Sequence, residues 1–486
     1  MWTGMTRFWR GPGGMGEMLR LSLPLVISTL SWTVMHFTDR VFLNWYSRDA
    51  MAAAMPAGAL SFAVICFPLG VAAYVNAFVS QYYGAGRHHR IGLVVWQGVW
   101  LGLLAAPLAL ASVPLAGMMF TRIGHSASIA GHEIAFYRTI SWGAGAMVAA
   151  EAMSAFFTGR GRVRTVMVVD MSAALVNIVL DYALIFGNWG FPEWGAAGAG
   201  AATAAAMWFK ALVYLALFLR KQQLAEFGTL SGCRFDAAIF RRLLRFGAPS
   251  GAQLLCDVGA FTLILLIVGK LGELDLAATS LAFNLNALAF MPVYGIGIAT
   301  TTAVGHRMGQ NRPRLAERAA WSAFALAAIY MTAISSLYVF APRALLWMHA
   351  AKADPAEFAA LGALTVILLR YVALYNVFDA MVVIFSSAIK GAGDTRFVLW
   401  TTLCMSPLPV IATIVGVEWF GLGLYWSWIS ITAWLCVLGV IYLLRFRQGK
   451  WRTMRVIEAP AIDENEVGPI EEDAFETEPA LSNDLT

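Results

Sequence analysis

Charge is scarce in this chain: 13% of its 486 residues are Asp, Glu, Lys or Arg, about half the share with which a water-soluble globule covers its surface. The length would allow roughly three soluble domains, and the scarcity of charge excludes them. Cysteine is scarce too. Of the five, Cys66, Cys256, Cys404 and Cys436 lie in apolar runs and Cys233 in a basic loop. None stands in a CxxC pair or at zinc spacing, so neither a disulfide framework nor a metal knot is indicated. No GxxxxGKS or GxxxxGKT phosphate loop occurs, and His132-Glu133 lacks the second histidine of a zinc-protease helix. The small-residue stretch Gly195–Gly200 opens an apolar run with no soluble strand ahead of it, which reads as close helix packing. The first apolar run after Arg20 outlasts a signal core and ends at Asp39 without a small-residue cleavage site, so it reads as a membrane span.

What the chain has in quantity is apolar sequence, with 59% hydrophobic residues and a mean hydropathy of +0.67. Runs able to cross about 30 Å of hydrocarbon as helices fall near 20–42, 50–80, 91–119, 133–158, 165–187 and 195–219. A second group falls near 243–269, 275–305, 317–340, 361–389, 397–417 and 421–444. Alternating ten-residue strands, as in a β-barrel, are not the pattern. The expected fold is an all-α membrane protein of twelve transmembrane helices in two six-helix bundles, 20–219 and 243–445. A segment 1–19 precedes them, a linker 220–242 joins them, and a tail 446–486 follows.

The net charge of +5 conceals two regions, because ten acids lie beyond the last base, Arg455. Setting those ten aside leaves 34 bases against 19 acids in the membrane body. The acidic tail, poor in large apolar residues, reads as disordered. Twenty-five bases fall in the terminal segments and the loops on one side, against six on the other (Arg40, Arg48, Arg122, Lys270, Arg343 and Lys352). The excess of basic residues predicts that both termini are cytoplasmic, in a bacterial inner membrane.

The chain also repeats itself. A shift of 225 superimposes Arg20 on Arg245, Pro24 on Pro249, Gly70 on Gly295, Gly84 on Gly309 and Arg87 on Arg312. A shift of 232 places Gly159 on Gly391, Gly161 on Gly393 and Arg164 on Arg396. Six spans per copy make the halves parallel, related by an axis along the membrane normal. Two such bundles can rock about a site between them.

Carboxylates within apolar runs carry the chemistry. A charged carboxylate near a helix centre costs about 2.5–3.5 kcal/mol on insertion scales, yet Asp39, Glu151, Asp181, Asp257 and Asp379 all lie in such runs. Asp39 is followed by Arg40, which could neutralise it. Asn177 and Asp181 stand four apart and share a helical face. Asp170, close to the Arg160–Arg164 loop, reads as an interfacial partner. Asp257 has Gln253 one turn earlier and no base within its own helix. Tyr375 and Asp379 are also one turn apart, so the phenol is placed to hydrogen-bond the carboxylate. Under the repeat, Asp39, Asp257 and Asp379 fall on apolar partners, so the acids break the symmetry of the scaffold. Shielding from water favours the protonated form of an acid, and the same oxygens could ligate Na⁺. A cationic cargo would compete for such a site, and one charge crossing 100 mV supplies about 2.3 kcal/mol. His36 reads as a hydrogen-bonded helix residue.

From Arg20 to about Arg445 the residues resemble the multidrug and toxic compound extrusion (MATE) transporters, NorM-like branch. The resemblance rests on Pro24 through Thr38-Asp39, on Ala282–Asn286 through Met291-Pro292 to Val304–Gly309, and on the Lys390–Arg396 turn. It implies a V of two bundles, a C-terminal cation site at Asp257 and Asp379 with Tyr375 beside them, and an N-terminal cluster of Asp39, Asn177 and Asp181. Asp257 stands where that branch commonly has glutamate.

The expected function is secondary antiport by alternating access: export of organic cations or amphipathic drugs, small-molecule cargo, in exchange for Na⁺ or H⁺, by a protein whose other partner is the lipid bilayer. The coupling site in the C-terminal half is Asp257, Asp379, Tyr375 and Gln253, with Na⁺ at Asp257 and Asp379 as the metal alternative. No enzyme activity, cofactor or nucleic-acid partner is expected, and one chain is expected to hold a whole pathway. The rivals are a lipid-linked precursor flippase, which calls for a cleft lined by buried Arg, and a membrane-embedded enzyme or receptor.

Overall fold

The computed structural model describes residues 9, 11–122, 125–350 and 355–458, with the backbone alone at 347–350 and 355–357. Lys352 and the stretch 459–486, most of the tail expected to be disordered, lie outside the described residues. Twelve helices are long and apolar enough to cross a membrane. They are α1 (Met15–Tyr46), α2 (Arg48–Gly84), α3 (His89–Arg122), α4 (Ala127–Thr158), α5 (Val163–Phe186), α6 (Ala196–Phe218), α7 (Ala237–Gly269), α8 (Glu273–Gly309), α9 (Pro313–Phe340), α10 (Phe358–Ala392), α11 (Thr395–Trp419) and α12 (Leu424–Gln448). The chain is an all-α, multi-pass membrane protein, as its apolar runs predict. Several helices outrun those runs by a turn or more, because a helix continues past the hydrocarbon until a cap or a glycine stops it. α7 begins inside the segment assigned to the linker, where Asp236 accepts from the Ala238 and Ile239 N–H groups at 3.0 Å, an N-cap. A short helix, Lys221–Phe227, precedes it.

α1–α6 pack into one lobe and α7–α12 into another. The small residues at the start of α6 do pack closely. A Cβ on Gly198 would lie 2.5 Å from the Leu184 carbonyl oxygen, and one on Gly200 2.6 Å from that of Phe136.

The lobes meet where α1 crosses α8 and α2 crosses α7, and the contact follows the sequence repeat. A Cβ on Gly70 would stand 2.7 Å from the Gly251 Cα and 2.9 Å from the Ser250 carbonyl oxygen. One on Gly295 would stand 2.9 Å from the Val26 nitrogen and 3.1 Å from the Leu25 carbonyl carbon. Residues 25 and 26 become 250 and 251 under the 225-residue shift. The next pair obeys the same rule. Gly84 faces the His306 carbonyl oxygen, Gly309 faces that of Gln81, each 2.2 Å from the missing Cβ, and 81 becomes 306. Further bonds tie the same region. Thr29 donates to the Met291 carbonyl at 3.0 Å, Thr302 to Asn76 Oδ1 at 3.2 Å, and His306 lies 2.5 Å from the Gly159 carbonyl. Arg307 pairs with Glu17 at 3.0 Å.

All of these contacts lie between the level of Thr29 and Met291 and the ends of the helices that carry the basic loops. Toward the opposite end each lobe packs on itself, with Tyr46 against Phe186 and Phe261 against Phe283 and Trp434. Among the described residues no hydrogen bond or ion pair joins the lobes there. The protein is therefore held shut at its basic end.

The first part of the expected disordered tail is packed against this seam, which corrects that expectation. Trp451 is buried and stacks on Phe446 with ring centroids 5.0 Å apart. Val456 and Ile457 are buried as well. Gln81 of α2 accepts from the Val456 N–H at 2.8 Å and donates to the Gly391 carbonyl at 2.8 Å, while Arg242 of α7 donates to the Val456 carbonyl at 2.7 Å. Glu458 is the last described residue of this strap: its carboxylate accepts from Tyr82 at 2.9 Å and pairs with Arg242 at 3.2 Å, and its carbonyl accepts from Arg87 at 2.9 Å. Four apolar residues in eight, Trp451, Met454, Val456 and Ile457, are too few to register as a span, yet enough to seat a short strap where pairing partners exist.

Adding a methyl at Gly84 or Gly309 drives a side chain into a carbonyl of the other lobe, a misfit of about 1–3 kcal/mol. Gly84→Ala and Gly309→Ala should shift the distance distribution between spin labels at the exposed positions 89 and 314 toward longer separations. An unchanged distribution in both variants refutes the seam as the closing contact. Glu458 supplies a pH prediction. Burial pushes its carboxyl up, but backbone and Tyr82 hydrogen bonds with the charges of Arg242 and Arg90 outweigh that and hold it below the ordinary glutamate value. The strap's contribution is therefore complete above the ordinary value and is lost as pH falls through the lowered one. Proteolysis beyond α12 should accelerate only in acid for the natural protein, and already at neutral pH for Glu458→Gln.

Candidate functional site

The three acidic or amide residues expected to cluster in the N-terminal lobe do so. α1 delivers Asp39 near its end, and α5 delivers Asn177 and Asp181 from one face. Asn177 and Asp181 are fully buried and Asp39 nearly so. With its amide turned to satisfy both neighbours, Asn177 donates to Asp39 Oδ1 at 2.9 Å and to Asp181 Oδ2 at 3.2 Å. The Asp39 and Asp181 carboxyls interact directly with one another, and Asp181 Oδ1 has no partner among the described residues. Arg40 is exposed and takes no part, so its expected alternative role as the counter-charge of Asp39 is not what the structure shows. The nearer neighbour is His36, whose Nδ1 lies 3.6 Å from Asp39 and whose ring packs on Trp32. Thr203 of α6 lies 3.4 Å from the Asn177 amide, a contact that sequence spacing could not supply.

In the C-terminal lobe Asp257 of α7 and Asp379 of α10 feel one another's charge. Neither makes a hydrogen bond or an ion pair within 4.0 Å among the described residues. Tyr375 is buried beside them, but its hydroxyl accepts from Asn286 of α8 at 3.3 Å. The expected bond from Tyr375 to Asp379 is therefore corrected: one turn apart on α10, the long phenol reaches past the carboxylate to the neighbouring helix. Asn286 Oδ1 is left as a buried acceptor without a partner among the described residues. Gln253 also departs from expectation. Its Oε1 accepts from Lys390 at 3.2 Å, and Lys390, counted above among the basic loops, is the last turn of α10 with its ammonium directed into the lobe. Asn286 and Lys390 were the residues missed. The signal for Asn286 was an amide in an apolar run, whereas nothing in the spacing of Lys390 told where its side chain would point.

Asp170 is paired, though not with the arginine loop near it in sequence. Lys210 of α6 lies 2.8 Å away, Tyr214 donates to it at 3.1 Å, and Ser28 of α1 completes the set. Glu151 of α4 shares the field of Lys210, and its charge reaches Tyr294 of the other lobe. Among the described residues no three His, Cys, Asp or Glu side chains converge as a metal-binding group. What the site offers is two separated carboxylate pairs with neutral oxygen and amide donors, suited to holding one proton or one monovalent cation each.

Two parallel six-helix lobes, joined at one end and carrying intramembrane carboxylates, define a membrane transporter. The comparisons agree. The MatE family model matches residues 24–183 and 249–415. The multidrug resistance protein PmpM of Pseudomonas aeruginosa is 30% identical over 83% of this chain and 84% of its own length. The multidrug resistance protein NorM of Burkholderia vietnamiensis is 28% identical over 94% of this chain and 99% of its own. A solved structure described as the outward-facing conformation of a multidrug resistance MATE family transporter superposes with a TM-score of 0.81 at 22% identity, covering 91% of this chain and 97% of that one. The chain belongs to the MATE family and is NorM-like, a transporter and not an enzyme.

The Lys210–Asp170 pair gives a clean test of which charges are structural. Removing one partner of a buried pair costs about 3–5 kcal/mol, and replacing both can be neutral. Lys210→Met should lower the unfolding temperature of the purified protein markedly, and Lys210→Met with Asp170→Asn should restore most of it. Equal losses in the single and double variants refute the pairing.

Proposed function

We propose that this protein is an inner-membrane antiporter that exports organic cations or amphipathic drugs in exchange for H⁺ or Na⁺ by alternating access. The observation that carries the reading is the pair Asp257 and Asp379, inside the membrane, within reach of one another's charge, and bonded to no base among the described residues. Two carboxylates so placed attract whatever cation can reach them, and a small ion and a cationic cargo reach them in competition. Entry of the ion discharges the carboxylates and releases the cargo.

The excess of basic residues assigns the closed end of the molecule to the cytoplasm. On that orientation the two lobes are open to the outside, where cargo leaves and the coupling ion enters. Return requires the glycine seam to part and the opposite ends to close, a rocking of two rigid bundles. Asp39, Asn177 and Asp181 supply a second ion-binding cluster on the other lobe. The relatives' names, multidrug resistance proteins, support a broad substrate range. A flippase is disfavoured because Lys210 is neutralised by Asp170 at 2.8 Å, Arg138 and Arg370 are exposed, and the buried Arg160 stands beyond the end of α4, bonded to Gln223 and to the Phe156 carbonyl. One chain contains both lobes and so a complete pathway, which makes a monomer sufficient.

Asp257→Asn and Asp379→Asn should each abolish dye efflux driven by an imposed ion gradient from reconstituted vesicles, with the variants still folded by thermal denaturation. Efflux at the natural rate in both variants overturns the assignment.

A further inference from the structure

Two lysines enter the lobes near the closed end, and their surroundings differ in kind. The ammonium of Lys210 is held by a carboxylate at 2.8 Å, with Tyr214 and Ser28 on the same group. Its charge is cancelled where it stands. The ammonium of Lys390 rests on a neutral acceptor, Gln253 Oε1, at 3.2 Å. One helical turn further along α7 is Asp257, whose charge interacts with it, although no carboxylate lies within ion-pair distance of Lys390 among the described residues. A turn is about 5.4 Å, a span that the flexible four-carbon stem of a lysine covers by rotation alone.

The main chain at Lys390 is fixed meanwhile. Its carbonyl accepts from Tyr74 of α2 at 2.8 Å, the next carbonyl accepts from Gln81 at 2.8 Å, and Gly391 lets α8 approach until Thr301 O would lie 2.8 Å from a Cβ. The side chain alone is free to move. The groups within reach of the Asp257 charge are then Cys256 beside it and Gln253 one turn earlier on its own helix, Asp379 and Lys390 of α10, and Tyr442 of α12.

A metal cation leaves water only when several oxygens converge on it in place of its hydration shell. A proton needs one oxygen. We propose that Lys390 is the resident cation of the C-terminal chamber: parked on Gln253 while Asp257 carries a proton and paired with Asp257 when the proton leaves, it occupies the oxygens a sodium ion needs and makes this site proton-selective. The inference rests on the antiport reading above and names the ion for it. The cycle balances without a further reactant. The proton departs from Asp257, the ammonium replaces its charge, and the returning proton sends the ammonium back to Gln253. Lys390 acts through Asp257 and is a positioning residue.

The test is ethidium efflux from vesicles under a proton gradient and, separately, a sodium gradient of equal size. The natural protein should respond to protons at least tenfold more than to sodium. Lys390→Met should lose severalfold of its proton-driven rate and gain a sodium-driven one, and should be stabilised against heating by sodium where the natural protein is not. Lys390→Arg, which keeps the charge, should keep proton selectivity. Lys390→Gln serves in place of Lys390→Met if that variant is unstable. Sodium-driven efflux by the natural protein, or unchanged ion preference in the neutral variants, overturns the role of Lys390 and leaves antiport standing. Undiminished efflux by Asp257→Asn under either gradient overturns antiport through this site, and the role of Lys390 with it.

Discussion

Backbone lying directly on backbone at one end of the molecule is the contact on which everything else depends. Glycine permits it, since a single Cβ at Gly70, Gly84, Gly295 or Gly309 would stand within 3 Å of the other lobe's main chain. Around it Leu25, Val71 and Phe78 of one lobe share a buried apolar cluster with Leu243, Val293 and Ile296 of the other, and hydrogen bonds and the strap through Glu458 supplement it. Interiors packed to crystal density deform poorly, so any motion between the two bundles falls on the face they share, where glycine backbone and small side chains meet.

The charges inside the lobes divide according to the same logic of holding and releasing. Asp170 and Lys210 are bonded to one another, and a buried pair of that sort fixes geometry at some cost in desolvation. Asp257 and Asp379 are bonded to nothing permanent. Asp39 and Asp181 share an amide between them, which orients two carboxyls without discharging either. A group that must exchange ions cannot be satisfied by a fixed partner, because the exchange would then have to break it.

The twelve helices, their grouping and the symmetry between halves were legible in the sequence, because an apolar run of sufficient length has one stable fate in hydrocarbon and because repeated Pro, Gly and Arg mark repeated geometry. The N-terminal cluster was legible for a related reason: Asn177 and Asp181 lie on one helical face, and Asp39 had few places to go. Tyr375 misled. Its spacing from Asp379 satisfied the rule for one turn of helix, but a side chain that long chooses among neighbouring helices, and α8 offered Asn286. Lys390 misled similarly, since a base at the end of a span reads as a loop charge whichever way its side chain turns.

Sequence by itself determined which segments cross the membrane and the 225-residue register, and that register proved to be the register of the seam. It determined as well that unpaired acids stand at membrane depth. Tertiary structure alone decided their company: that Asp170 would meet Lys210, that Gln253 would hold Lys390 in reserve beside Asp257, and that Trp451, Val456 and Ile457 would fold back across both lobes. The reason is one of range. Hydrophobicity and helical period act over a turn or a span and are written locally, whereas a buried polar group accepts whatever partner the packing of distant helices brings within about 3 Å.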